Sequence, residues 1–203
     1  MRHILILLFA CIILSCADRS SETINYYPNK DFYKNEKLVG INLEEEYSNI
    51  TSLMNRINQI YNKDSIPYID FNIKDLKVNL VISQNPYGLI SERNLLEITK
   101  DSIKGCHNVS IEKLDSILPE YYYNPREQLC NPVNPKRAAI DVSLKPKENI
   151  ETLKALLSKI ILNFDKIRVK KNDTLDLYVT INYYNSILPP PPPPPEILKK
   201  APE

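Results

Sequence analysis

The chain has 203 residues, 26 basic and 25 acidic side chains and a formal net charge of +1. So even a balance excludes the basic footprint that nucleic acid or an anionic membrane surface selects, and no nucleic-acid partner is expected. Three glycines (Gly40, Gly88, Gly105) are too few for a phosphate-cradling loop or a dinucleotide fingerprint, so no cofactor is expected either.

The N-terminus reads as an address. Met1-Arg2-His3 is a short basic start, and residues 4–14 form an uninterrupted apolar run of eleven. That is too short to cross a hydrocarbon core of about 30 Å, but it suits the apolar region of a secretory signal. The run ends Ile13-Leu14-Ser15-Cys16, which resembles the lipobox of bacterial lipoproteins: an aliphatic residue, a variable one, a small one, then cysteine. The resemblance implies cleavage before Cys16, lipidation of its thiol and acylation of its new amino group, palmitate among the chains. Two or three acyl chains anchor stably where one is marginal. The expected location is therefore the bacterial cell envelope, periplasmic or surface-facing, with the membrane as partner through the anchor. Losing Arg2 with the signal leaves 25 basic against 25 acidic side chains. Residues 16–37 are polar and lack hydrophobic periodicity, so they read as a lipid-anchored tether.

Four cysteines reduce to two once Cys11 leaves and Cys16 is lipidated. In an oxidising compartment Cys106 and Cys130 read as a disulfide, closing a loop of about 25 residues worth roughly 3 kcal/mol. Free structural thiols, or a Cys106-His107 nucleophile, are the alternatives. With His107 the only histidine left, no His-pair metal site is expected.

The body, taken as 38–187, reads as one α+β domain: antiparallel sheet with helices on one face. Val39, Ile41 and Leu43 alternate as a strand. Glu44-Glu45-Glu46 opens a helix striped by Ile50, Leu53, Met54, Ile57 and Ile60. Ile69, Phe71 and Ile73, then Leu76, Val78, Leu80 and Ile82, form a hairpin around Lys74-Asp75. Ser91 caps a helix carrying Leu95, Leu96, Ile98 and Ile103 up to Gly105. Ser110 caps a shorter helix that stops at Pro119. An irregular stretch follows, opening with Tyr121, Tyr122 and Tyr123, whose apolar faces and polar tips suit either ligand binding or core packing.

The first order of elements then recurs about 100 residues on. Ile140, Val142 and Leu144 alternate with Asp141 and Ser143. Ile150, Leu153, Leu157 and Ile160 stripe a helix. Ile167 and Val169 mark a short strand, and Leu175, Leu177, Val179 and Ile181 a long one. Two strand–helix–strand–strand pseudo-repeats, 38–83 and 138–182, are expected. The tail, 188–203, holds seven consecutive prolines that suit a polyproline II rod, acting as a spacer or docking in an aromatic groove.

The span 78–105, with Asn85-Pro86-Tyr87-Gly88 after a strand, resembles the periplasmic domain of ExbD/TolR-type biopolymer-transport proteins. This implies a helix after the Pro-Tyr-Gly turn and a place as an adaptor in an envelope complex. Those families have an N-terminal transmembrane helix where this chain has a lipobox, so their proton-driven role does not carry over. Gly-x-Ser-x-Gly and Cys-x-x-Cys motifs are absent from the sequence, and no catalytic residue is assigned. The expected function is non-catalytic binding of protein or glycan in the envelope. A polymer-degrading hydrolase using an unobvious carboxylate pair is the rival.

Overall fold

The computed structural model describes residues 24–45, 47–84, 92–104, 108–123, 129, 131–132, 134–171 and 175–183. The expected signal, Cys16, Cys106, Cys130, Pro86-Tyr87-Gly88 and the proline tail lie outside them. In chain order the elements are β1 (Ile24–Tyr27), β2 (Leu38–Asn42), α1 (Ile50–Tyr61), β3 (Ile66–Ile73), β4 (Leu76–Val81), β5 (Leu95–Ile98), β6 (Ser102–Ile103), β7 (Val109–Ser110), α2 (Leu114–Tyr123), β8 (Ala139–Leu144), α3 (Ile150–Lys171) and β9 (Val179–Tyr183). The class is α+β.

Two mixed sheets carry these strands, in the orders β1-β4-β3-β2 and β7-β6-β5-β8-β9. The expected antiparallel arrangement holds only for β3–β4, β5–β6 and β6–β7; β1–β4, β2–β3, β5–β8 and β8–β9 are parallel. The reason is connection length. Lys74-Asp75 is a tight turn, with Lys74 at φ 55°, and reverses the chain between Ile73 and Leu76. A single helix joins β2 to β3 and β8 to β9 and returns the chain to its starting end, so those neighbouring strands run parallel. The sheets meet where Ile82 bridges Val179 in parallel and the Ser83 N–H donates to the Val179 carbonyl at 2.8 Å. One hydrophobic cluster draws on both sheets and all three helices, with Leu53, Ile57, Phe71, Val78, Leu118, Val142, Leu157 and Phe164 among its members.

The stretch 38–83 has the strand–helix–strand–strand order read from its alternation. Its helix begins later than expected. Asn49, not Glu44, caps it, accepting from the Ser52 N–H at 3.0 Å in a capping box. Glu44 instead pairs with Lys154 of α3 at 2.8 Å. In 138–182 the expected strand at Ile167 and Val169 is the last turn of α3. Ile160, Phe164 and Ile167 continue the helical stripe into the core, while Val169 is 80 % exposed. The parallel strand–helix–strand unit thus recurs in β2–α1–β3 and β8–α3–β9, without the fourth element in the second copy among the described residues.

Three further expectations are corrected. The helix placed after Ser91, which the ExbD/TolR resemblance also implies, is strand β5 followed by β6. Leu96 and Ile98 are buried and alternate with half-buried Leu95 and Glu97, a period-two pattern that pairs with β8. Pro119 does not end the second helix, which runs through it to Tyr123 because Tyr121 and Tyr122 are drawn into the core. The tether does not extend to residue 37. Ile24–Tyr27 is an edge strand on β4, and Tyr27 is fully buried, its hydroxyl donating to Asp165 of α3 at 2.7 Å.

Candidate functional site

Strands β5, β8 and β9 lie side by side and parallel, with Glu97 opposite Asp141, Asp141 opposite Thr180, and Ser143 opposite Asn182. Side chains alternate across a strand. Ile98, Ile140, Val142, Leu144, Val179 and Ile181 therefore join the core with the helices. Glu97, Asp141, Ser143, Thr180 and Asn182 share the opposite face. β8 is central and buried along its whole length, so its polar residues are enclosed too: Asp141 and Ser143 are each 6 % exposed and Thr180 is 2 % exposed.

An enclosed carboxylate requires donors. Asp141 Oδ1 accepts from Thr180 Oγ1 and Asn182 Nδ2, both at 2.5 Å, and Oδ2 accepts from Ser143 Oγ at 3.2 Å. Burial raises the Asp141 pKa above the ordinary aspartate value. The three hydrogen bonds oppose the shift, and the neighbouring Glu97 charge adds to it. Glu97 in turn lies 3.0 Å from Lys104.

A crevice opens at the carboxyl ends of β5 and β8. The chain leaving β5 turns toward β6 on one side of the sheet, while the chain leaving β8 passes through α3 to β9 on the other. Diverging connections leave a gap between adjacent strand ends, the place where open sheets containing parallel strands receive ligands. Here the gap measures about 300 Å³. Thr99, Ser102 and Ser143 contribute hydroxyls to its lining, and Lys100, Lys104 and Lys145 contribute ammonium groups. The Thr99 and Ser102 hydroxyls are 2.8 Å apart, and the Ser102 N–H donates to Thr99 Oγ1 at 3.1 Å, which fixes that turn. Lys100 stands 3.9 Å from Glu148, an ion pair without a close hydrogen bond.

Among the described residues, grooves also flank the helices. One, of about 380 Å³, lies between α2 and α3 and includes Asp115, Tyr123, Lys166 and Lys170. Another, of about 450 Å³, lies between α1 and β9 and includes Asn58, Tyr61, Thr180 and Asn182.

Of the tyrosines singled out in the sequence, Tyr121 and Tyr122 are core residues at 1 % and 0 % exposure. Tyr121 donates to the Ala139 carbonyl at 2.9 Å, and Tyr122 packs 5.3 Å from the Phe164 ring. Only Tyr123 lines a groove. Consecutive helical residues are about 100° apart around the axis, so three in a row cannot present one binding face. Asp141, Ser143 and Thr180 went unassigned because alternation with apolar residues reads as a solvent-facing row. The available signal was the matching Asp-Val-Ser and Thr-Ile-Asn triplets on strands either side of one helix. Among the described residues, no helix is long and apolar enough to cross a membrane, and no group of three or more His, Cys, Asp or Glu is placed to hold a metal ion. No protein-family model, curated protein or solved structure matches this chain.

Proposed function

We propose that this chain is a lipid-anchored protein of the bacterial cell envelope that works by binding a protein or glycan, with the crevice at the ends of β5 and β8 as its ligand face. The lipobox at Cys16 supports the location. The binding role rests on one observation: the polar array is held in place by its own contacts. At the crevice Ser143 is bonded to Asp141, the Thr99 and Ser102 hydroxyls to each other, and Lys104 to Glu97, which makes a preorganised recognition surface. Cys16→Ser should move the protein from the membrane to the soluble fraction and abolish labelling by a clickable fatty acid. Continued labelling of the variant overturns the anchor.

A hydrolytic role has one observation in its favour. Glu97 and Asp141 are directly opposite on adjacent strands, and Asp141 has a raised pKa, the pairing from which acid and base roles are drawn. Under that reading purified protein cleaves envelope polymer and Glu97→Gln, folded as wild type, does not. Absence of cleavage by the wild type removes it.

A further inference from the structure

We infer that the crevice between the ends of β5 and β8 is a subsite for an acidic sugar, one ring bearing a carboxylate. The inference rests on the binding role proposed above and names its ligand class. The topology supplies the concavity, since the two strand exits part. The donor set supplies the chemistry. Lys100, Lys104 and Lys145 bring three ammonium groups, against the carboxylates of Asp101 and Glu148 in the same lining and of Glu97, the partner of Lys104. Lys104 is taken up by Glu97, and Lys100 stands off from Glu148 at 3.9 Å. Lys145 makes no ion pair among the described residues. A single ligand carboxylate therefore meets Lys145 and Lys100 without displacing a close hydrogen bond.

A bare anion would leave the rest of the crevice unmatched. Asp101 and Glu148 are acceptors that repel an anion and welcome hydroxyl donors, the Thr99 and Ser102 hydroxyls donate or accept, and Ser143, whose proton goes to Asp141, accepts. A ligand that carries one carboxylate and several hydroxyls satisfies both sets. The volume of about 300 Å³ lies at the small end of ligand sites, fitting one ring of a chain and not a long stretch of it. Ser143 ties this floor to the deeper array through its bond to Asp141, so the floor is rigid.

The test is calorimetric titration of the detergent-solubilised full chain with glucuronate, glucose and inorganic phosphate. Glucuronate should bind at least about tenfold more tightly than either of the others, and its binding should weaken as salt is raised. Lys145→Gln and Lys100→Gln should each weaken glucuronate by about fivefold to tenfold, and Lys63→Gln, in the turn after α1, should leave it unchanged. Wild-type melting in the same buffer confirms that each variant is folded. Equal affinity for glucose and glucuronate overturns the anionic part, and equal affinity for phosphate reduces the site to an anion cradle and overturns the sugar. No glucuronate binding by folded wild type overturns the inference outright. Membrane fractionation of the cells before solubilisation separates this failure from that of the envelope role. Protein that is membrane-bound but indifferent to glucuronate refutes only the subsite, whereas glucuronate-binding protein found in the cytoplasm refutes only the location.

Discussion

Asp141 shows how a single side chain can be read wrongly from its neighbours. Its place between Ile140 and Val142 looks like the wet side of a strand, yet it is 6 % exposed and held by Thr180, Asn182 and Ser143. Because burial raises its pKa, the folded chain holds its proton more tightly than the unfolded chain, where aspartate titrates near about 3.9. Its contribution to stability is full below the unfolded value and is lost as pH rises through the folded one. Asp70, also raised chiefly by burial, acts in the same direction. Asp141→Asn cannot ionise, so it removes the Asp141 share of this pH dependence. Melting temperatures measured from about pH 4 to about pH 7 should show wild type losing ground relative to the variant as pH rises. A difference that stays constant across that range contradicts the assignment.

Helix α2 carries a proline in its interior and survives because of what it buries. Pro119 has no N–H for the carbonyl four residues back, a defect that costs an ordinary helix about 3 kcal/mol. Leu114, Ile117, Leu118, Tyr121 and Tyr122 all reach the core from this helix, and α2 packs along α3. That burial outweighs the missing bond, at roughly 1.5–3 kcal/mol for each large apolar side chain. Pro119 is half-buried at the groove rim, so its ring adds little packing. Pro119→Ala should therefore raise stability by on the order of 1 kcal/mol or more, read as a higher urea midpoint with an unchanged slope. A lower midpoint would mean that the bend imposed by proline is needed to seat Tyr121 and Tyr122.

The molecule is held together across its length by contacts that join its first and last thirds. Tyr27 of β1 donates to Asp165 of α3, packs edge-on to Phe164 at 6.3 Å and lies under the Arg168 guanidinium at 5.7 Å. The Ile50 N–H at the start of α1 donates to the Glu148 carbonyl at 3.0 Å, just before α3. With one core serving both sheets, unfolding should be a single cooperative transition. Tyr27→Phe keeps the ring and loses the bond to Asp165, for a cost of about 1–2 kcal/mol. Tyr27→Ala empties a core position and should cost about 3–5 kcal/mol. Denaturant titration followed by far-ultraviolet and tyrosine circular dichroism should show coincident curves for wild type. Separate transitions, or a Tyr27→Ala loss below about 1 kcal/mol, would make β1 an appendage.

Much of this architecture was legible in the chain. The stripe from Ile50 to Ile60, the hairpin around Lys74-Asp75 and the strand from Ala139 to Leu144 follow from periodicity, because a helix or strand with one apolar side has a single way to bury it. The short runs were ambiguous. Leu95, Leu96 and Ile98 fit a helical turn and a strand equally well, and the choice fell to β8, whose backbone supplied the hydrogen-bond partners. Strand direction depended on whether a helix intervenes between paired strands, so the sheets came out mixed. The candidate site was the least legible part. Glu97, Asp141 and Thr180 are far apart in sequence and ordinary where they stand. Only strand order makes them neighbours, buries the middle one and parts the loops above it, because burial and juxtaposition arise from long-range pairing that no local pattern encodes.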